Sequence, residues 1–266
     1  MHAMIGVHDL LATGSGMIVG LVLGLIGGGG SLLAVPLLIY GVGVASPHVA
    51  IGTSAIAVAV SALGNLVAHG RAGHVKWPCA VTFAGAGILG ALVGSSAAKA
   101  LDGQKLLVLF GLVMLVVGGL MLRGRGSEGN PAVRLSRRTA WHMLPPLVSI
   151  GFGVGLLSGF FGIGGGFLIV PGLMLATGMP LVYAIGTSLV AVTAFGTATA
   201  LNYAASGMID WRLAAAFVVG GIAGGLIGVS LGEALAARKQ VLGIVFACVV
   251  IVTGLYVVAR GVMVLA

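Results

Sequence analysis

Acidic side chains are scarce in this chain: its 266 residues include five Asp and Glu against thirteen Lys and Arg, a formal net charge of +8. The five, Asp9, Asp102, Glu128, Asp210 and Glu233, sit in connections or at the ends of apolar stretches. No carboxylate is left inside such a stretch to hold a cation or relay protons, so cation pumping is not expected. Charged residues of both signs make up 7% and hydrophobic ones 59%, whereas a soluble domain is about 25% charged. A soluble protein is thereby excluded, and with it the nucleic-acid partner that a basic chain would otherwise suggest. Cysteine is down to Cys79 and Cys248, both in apolar runs, so neither a disulfide framework nor a thiolate metal site is expected. There is no G-x-x-x-x-G-K-[ST] loop, no H-E-x-x-H pair and no convincing Ser–His–Asp set. These absences argue against P-loop nucleotide hydrolysis and against a membrane enzyme. The expectation is no catalysis, no cofactor and no metal.

What the chain has is apolar length. Hydrophobic spans can be laid at 12–42, 46–70, 78–98, 104–122, 144–176, 180–205, 212–232 and 239–260, most near the roughly 20 residues that cross a bilayer as a helix. The ten-residue alternation of a membrane β-barrel is absent, so the expected fold is an all-α integral membrane protein with the lipid bilayer as its solvent. The first eleven residues, MHAMIGVHDLL, show neither a basic n-region nor a small-residue cleavage site, and no secretory signal is read there.

The spans repeat. Residues 20–38 reappear as 155–173, matching at Gly20/Gly155, Gly24/Gly159, Gly29/Gly164, Gly30/Gly165, Val35/Val170 and Pro36/Pro171. At an offset of 134, Ile51-Gly52-Thr53-Ser54 matches Ile185-Gly186-Thr187-Ser188, followed by Trp77/Trp211, Phe83/Phe217 and Gly87/Gly221. The chain thus divides into a first four-span repeat over 1–122, a basic connection over 123–140 and a second four-span repeat over 141–266. The first and fifth segments are too long for one upright crossing and too short for two, and a Gly-rich break in each points to a re-entrant hairpin. Hairpins would invert one repeat relative to the other, whereas single crossings would leave the repeats parallel. Basic residues divide nine to four under either topology, so the charge rule leaves the choice open.

Gly27–Gly30 and Gly162-Ile163-Gly164-Gly165-Gly166 are poor helix interior, since each glycine costs about 1 kcal/mol relative to alanine. Unwound backbone at membrane depth must face protein or a watery cavity, and the helix that restarts after it, at Ser31 and Phe167, offers free N–H groups to an anion. Gly28, Gly29, Gly30, Ser31, Gly164, Gly165 and Gly166 are therefore candidate substrate contacts. The glycines of Gly85–Gly94 and Gly220–Gly228 are read instead as helix-packing residues. On the next span of each half, Ser54, Ser61, Asn65 and His69 share one helical face, and Ser188, Phe195, Thr199, Asn202 and Tyr203 share the matching one. From these faces and the Gly-Thr-Ser triplets, Thr53, Ser54, Thr187 and Ser188 are candidate hydroxyl donors, with Asn65 and Asn202 after them. His69 is a candidate for proton coupling, with an uncommitted interfacial histidine as the competing reading. A neutral lining with backbone N–H donors suits a small anion better than a cation.

The paired Gly-rich motifs ending in Pro36 and Pro171, the paired Gly-Thr-Ser at 52–54 and 186–188, and the Gly-x-Val/Ile-x-Trp at 73–77 and 207–211 together resemble the TauE/SafE family of membrane transporters. The resemblance covers nearly the whole chain. It implies an inner-membrane secondary transporter of sulfite, sulfoacetate or related organosulfur anions, holding its substrate near the midplane between the two breaks. An anion channel and an accessory membrane subunit that moves no solute alone stay open as alternatives, as do the coupling proton or ion and the oligomeric state.

Overall fold

In hydrocarbon every backbone N–H must find its carbonyl within the protein, and this chain does so almost entirely through helices. The computed structural model describes residues 2–26, 28–123, 139–162, 166–234 and 239–265. They form α1 (His2–Ile26), α2 (Ala34–Pro36), α3 (Pro47–Arg71), α4 (Trp77–Lys99) and α5 (Gly103–Arg123), then α6 (Ala140–Phe161), α7 (Gly166–Thr177), α8 (Leu181–Ala204), α9 (Trp211–Ala234) and α10 (Lys239–Leu265). A 3₁₀ turn at Gly28–Leu33 and a π turn at Leu37–Val42 flank α2. Among the described residues there is no strand, and eight helices are long and apolar enough to cross a membrane. The protein is an all-helical, multi-pass membrane protein.

Helix starts are marked by caps. Ser46 precedes Pro47 at the head of α3 and its hydroxyl accepts from the Val49 N–H. Asp210 Oδ1 accepts from the Arg212 and Leu213 N–H groups at 3.1 and 3.0 Å, capping α9. Asp102 Oδ1 does the same for α5 through Gln104 and Lys105. These carboxylates complement helix N-termini, which explains Asp102 and Asp210 at span ends. Trp77 and Trp211 open α4 and α9 and are exposed, as interface anchors should be.

The first long segment turns back on itself. Val42 returns beside the start of α1, where its carbonyl lies 2.7 Å from His8 Nδ1. The fifth does likewise: a Cβ on Gly172 of α7 would touch Ile150 and Val154 of α6. The limbs are unequal, however. α1 is 25 residues long, about 37 Å, so the break lies at its end and not near the middle of the segment. Apolar residues from Gly6 onward let α1 cross alone, and only the returning limb is short. Helix also restarts earlier than Ser31 and Phe167, at Gly28 and Gly166. After the first break it restarts as 3₁₀, the tighter form used in short pieces and at helix ends.

Helices pair across the halves. α1 lies along α9 in the same direction, so that a Cβ on Gly16, Gly20 or Gly24 would run into the backbone of Phe217, Gly221 or Gly225. α6 lies along α4 in the same way, with Gly151, Gly155 and Gly159 against Phe83, Gly87 and Ala91. α5 and α10 run antiparallel, Gly111 facing Val258 and Gly118 facing Ile251. α3 and α8 form the antiparallel centre, where Gly196 meets Ala55 and Ala59. One end of the bundle holds the start of α1 and the finish of α10 (the terminal end). The other holds the finish of α5 and the start of α6 (the linker end).

Candidate functional site

The two breaks meet the central helices at different depths. At the end of α6, Gly162 adopts φ +65°, which glycine tolerates, and its carbonyl accepts from Ser54 Oγ at 3.2 Å. Ser54 lies two turns into α3, so this break belongs toward the terminal end. The first break lies toward the linker end: a Cβ on Gly30 would fall 2.5 Å from Leu23 N, Gly24 abuts Gly225, and Gly225 abuts Asn65. Ser54 and Asn65 are eleven residues apart on α3, about 16 Å at 1.5 Å per residue. The returning limbs touch, the Gly28–Leu33 turn lying against α7.

Of the candidate residues, Gly28, Gly29 and Gly30 lie within the 3₁₀ turn and Ser31 is fully buried in it. Gly166 opens α7 and is buried, while Gly164 and Gly165 lie outside the described residues. Ser54 and Ser188 are completely buried; each donates to the carbonyl three residues before it, Ile51 and Ile185.

Thr53 and Thr187 act as matched staples between halves. Thr53 Oγ1 accepts from Asp210 N at 3.0 Å, and Thr187 Oγ1 accepts from Lys76 N at 3.0 Å. Each therefore fixes the head of a helix belonging to the other half, while its hydroxyl proton remains for another acceptor. Valine at either position keeps the shape but leaves the staple N–H unanswered, a loss of about 1 kcal/mol. Thr53→Val and Thr187→Val should each lower the melting temperature in detergent by about 2–4 °C.

Asn202 is taken up by an interhelical cluster. Its amide donates to Ser95 and Ser96 hydroxyls at 2.6 and 2.9 Å, and its Oδ1 accepts from Lys99 Nζ at 2.7 Å, tying α8 to α4 at the terminal end. Lys99 also donates to the Ser206 hydroxyl. Sequence reasoning passed over Ser95 and Lys99, because nothing in their own helix reveals a partner more than a hundred residues away.

Asn65 differs: it is 3% exposed and its Nδ2 has no hydrogen-bond partner among the described residues. The same holds for Ser61 Oγ on α3, Thr199 Oγ1 and Tyr203 OH on α8, and Ser158 Oγ on α6. Ser158 carried a readable signal, since it stands where the first copy of the repeated motif has Leu23. His69 lies at the linker end with its ring 5.9 Å from that of His74, which in turn faces Tyr183 at 6.3 Å. Lys76 Nζ stands 4.3 Å over the Tyr183 ring. At the terminal end a cleft of about 450 Å³ is lined by His8, Gly43, Ser46, Asp210 and the Asp9–Arg212 ion pair. No group of three or more possible metal ligands occurs among the described residues.

The family model for the sulfite exporter TauE/SafE matches residues 12–257, which include both breaks, both staples and every central helix. The chain belongs to the TauE/SafE family. A relative from Xylella fastidiosa strain Temecula1, described as a probable membrane transporter protein, is 52% identical over 256 residues, covering 96% of this chain and 97% of its own. The Bacillus subtilis strain 168 protein YunE, also described as a probable membrane transporter, is 28% identical over 93% of this chain and 96% of its own. A Methanocaldococcus jannaschii relative with the same description is 29% identical over 60% of both chains. No solved structure matches. As a member of TauE/SafE, the protein is a membrane transporter of the inner membrane.

Proposed function

We propose that this protein is a secondary transporter of a small oxyanion, sulfite or an organosulfonate, working by alternating access. The observation that carries the reading is the pair of backfolded glycine breaks. Each places helix-terminal N–H groups inside the bundle, and the limbs behind them meet. A small oxyanion spans far less than the roughly 16 Å between the breaks, so it contacts only one break at a time. Buried hydroxyls and an amide line the interval with neutral donors, and no interior carboxylate opposes an anion. The family name supports the sulfur oxyanion.

The halves are inverted in this reading: α1 starts at the terminal end and α6 at the linker end, so one repeat is the other turned over. In sequence, the segments that join helices at the linker end (71–76, 123–140 and 235–239) hold nine of the thirteen Lys and Arg residues, so in this reading that end faces the cytoplasm, with both termini outside. His69, at that end, serves proton coupling.

The test is uptake of radiolabelled sulfite into proteoliposomes at two internal pH values, with sulfate, sulfoacetate, taurine and acetate as competitors. Saturable uptake, counterflow and a response to the pH gradient are expected. Linear flux without counterflow would indicate a channel, and absence of flux for every sulfur oxyanion would overturn the reading.

A further inference from the structure

Ser61 and Asn65 stand one turn apart on α3, 2% and 3% exposed, and neither Ser61 Oγ nor Asn65 Nδ2 has a hydrogen-bond partner among the described residues. Buried polar groups in native proteins are almost always paired with protein, water or ligand. Both side chains point at glycines of α9. A Cβ on Gly221 would collide with Ser61 Oγ, and one on Gly225 would lie 2.7 Å from Asn65 Oδ1. The site adjoins the first break, because Gly24 packs on Gly225 and Gly30 folds against Leu23. An unpaired hydroxyl and an unpaired amide NH₂ share one property: they donate. The ligand they lack must accept.

The equivalent place in the other half is built differently. Phe195 stands where Ser61 does, and its ring occupies the position that a Cβ on Gly87 would take. That ring stacks on Phe83 at 6.2 Å. Thr199 replaces Asn65; its Oγ1 is likewise without a partner among the described residues, but it offers a single hydroxyl where Asn65 offers two N–H groups. Resting on the transport reading above, we infer that the oxyanion is bound in one half only, at Ser61 and Asn65 beside the first break, and that in the second half Phe195, packed on Gly87 as Ser61 is packed on Gly221, puts an apolar ring where the donor would be.

The repeat itself supplies the variant. Phe217 occupies the position equivalent to Phe83 and is fully buried, so Ser61→Phe would find a stacking partner and a glycine, Gly221, opposite it. The experiment is equilibrium binding of radiolabelled sulfite to the detergent-purified full chain by scintillation proximity, with melting temperature as the fold check. Wild type should bind. Asn65→Leu and Ser61→Phe should weaken binding at least about tenfold, the effect of losing a hydrogen bond to a charged group. Thr199→Val and Phe195→Ser should bind within about twofold of wild type. Asn65→Leu serves if Ser61→Phe does not fold. Wild-type affinity in folded Asn65→Leu, or a tenfold loss in Thr199→Val, would overturn the one-sided site while leaving transport intact. No sulfite binding by wild type would overturn the transport reading and the site with it.

Discussion

Gly155→Leu should lower the melting temperature of the purified protein by about 6–12 °C, and Gly153→Leu should leave it unchanged. The two glycines are two residues apart on α6 and so lie on roughly opposite faces of it. A Cβ on Gly155 would penetrate the Gly87 carbonyl of α4, whereas one on Gly153 meets nothing within 4 Å. Overpacking costs about 1–3 kcal/mol when side chains can shift. Here both colliding partners are helix backbone, which cannot rotate away, so the cost sits at or above the upper figure. About 3 kcal/mol corresponds to the stated shift for a chain of this size. Gly20→Leu should repeat the result against Gly221. Equal melting of the Gly153 and Gly155 variants would show that the α4–α6 seam is looser than described.

Gly30→Val should reduce sulfite uptake to the level of empty liposomes while the protein still inserts and purifies as a folded species. A Cβ at Gly30 would lie 2.5 Å from Leu23 N and 2.8 Å from Val19 O. The limb from Gly28 to Val42 would have to swing off α1, carrying Ser31 and the first break with it. The strain, about 3 kcal/mol because the colliding atoms are again backbone, is smaller than a typical total stability of 5–15 kcal/mol. Displacement of the limb is therefore expected before unfolding. Gly41→Ala is the control, because its nearest neighbours would be Ser15 Oγ and Leu37 Cδ2 at 3.7 and 3.8 Å. Full uptake in Gly30→Val would remove the first break from the path.

Much of the fold was legible because hydrocarbon makes few demands. Apolar length set α3, α4, α8 and α9 to within a few residues, and glycine runs marked both turning points. The start of α1 was not legible: the apolar pattern lays the first span from residue 12, yet His8 and Asp9 belong to the helix, His8 meeting Val42 and Asp9 pairing with Arg212. Partners from distant segments leave no trace in a local pattern. For the same reason Gly85 read as a packing residue beside Gly87, although nothing lies within 4 Å of its side. Period alone cannot tell a lipid-facing glycine from a helix-facing one. At the candidate site, the polar face of α3 was legible from its spacing. That Asn65 lacks a partner while Asn202 is clamped by Lys99, Ser95 and Ser96 depends on what faces each, which spacing does not carry.

The cross-half seams also bear on biogenesis. When α1 enters the bilayer, the helix that will cover Gly16, Gly20 and Gly24 lies about two hundred residues downstream in α9. Thr53 likewise awaits Asp210. The first half therefore has no completed native partner for its opening helix until the ribosome has nearly finished. Lipid can solvate an uncovered glycine face in the meantime, as water could not solvate an uncovered apolar core. Assembly must follow insertion, and a chain that stops after α5 leaves a membrane-resident fragment with its glycine faces open to any other helix that fits them.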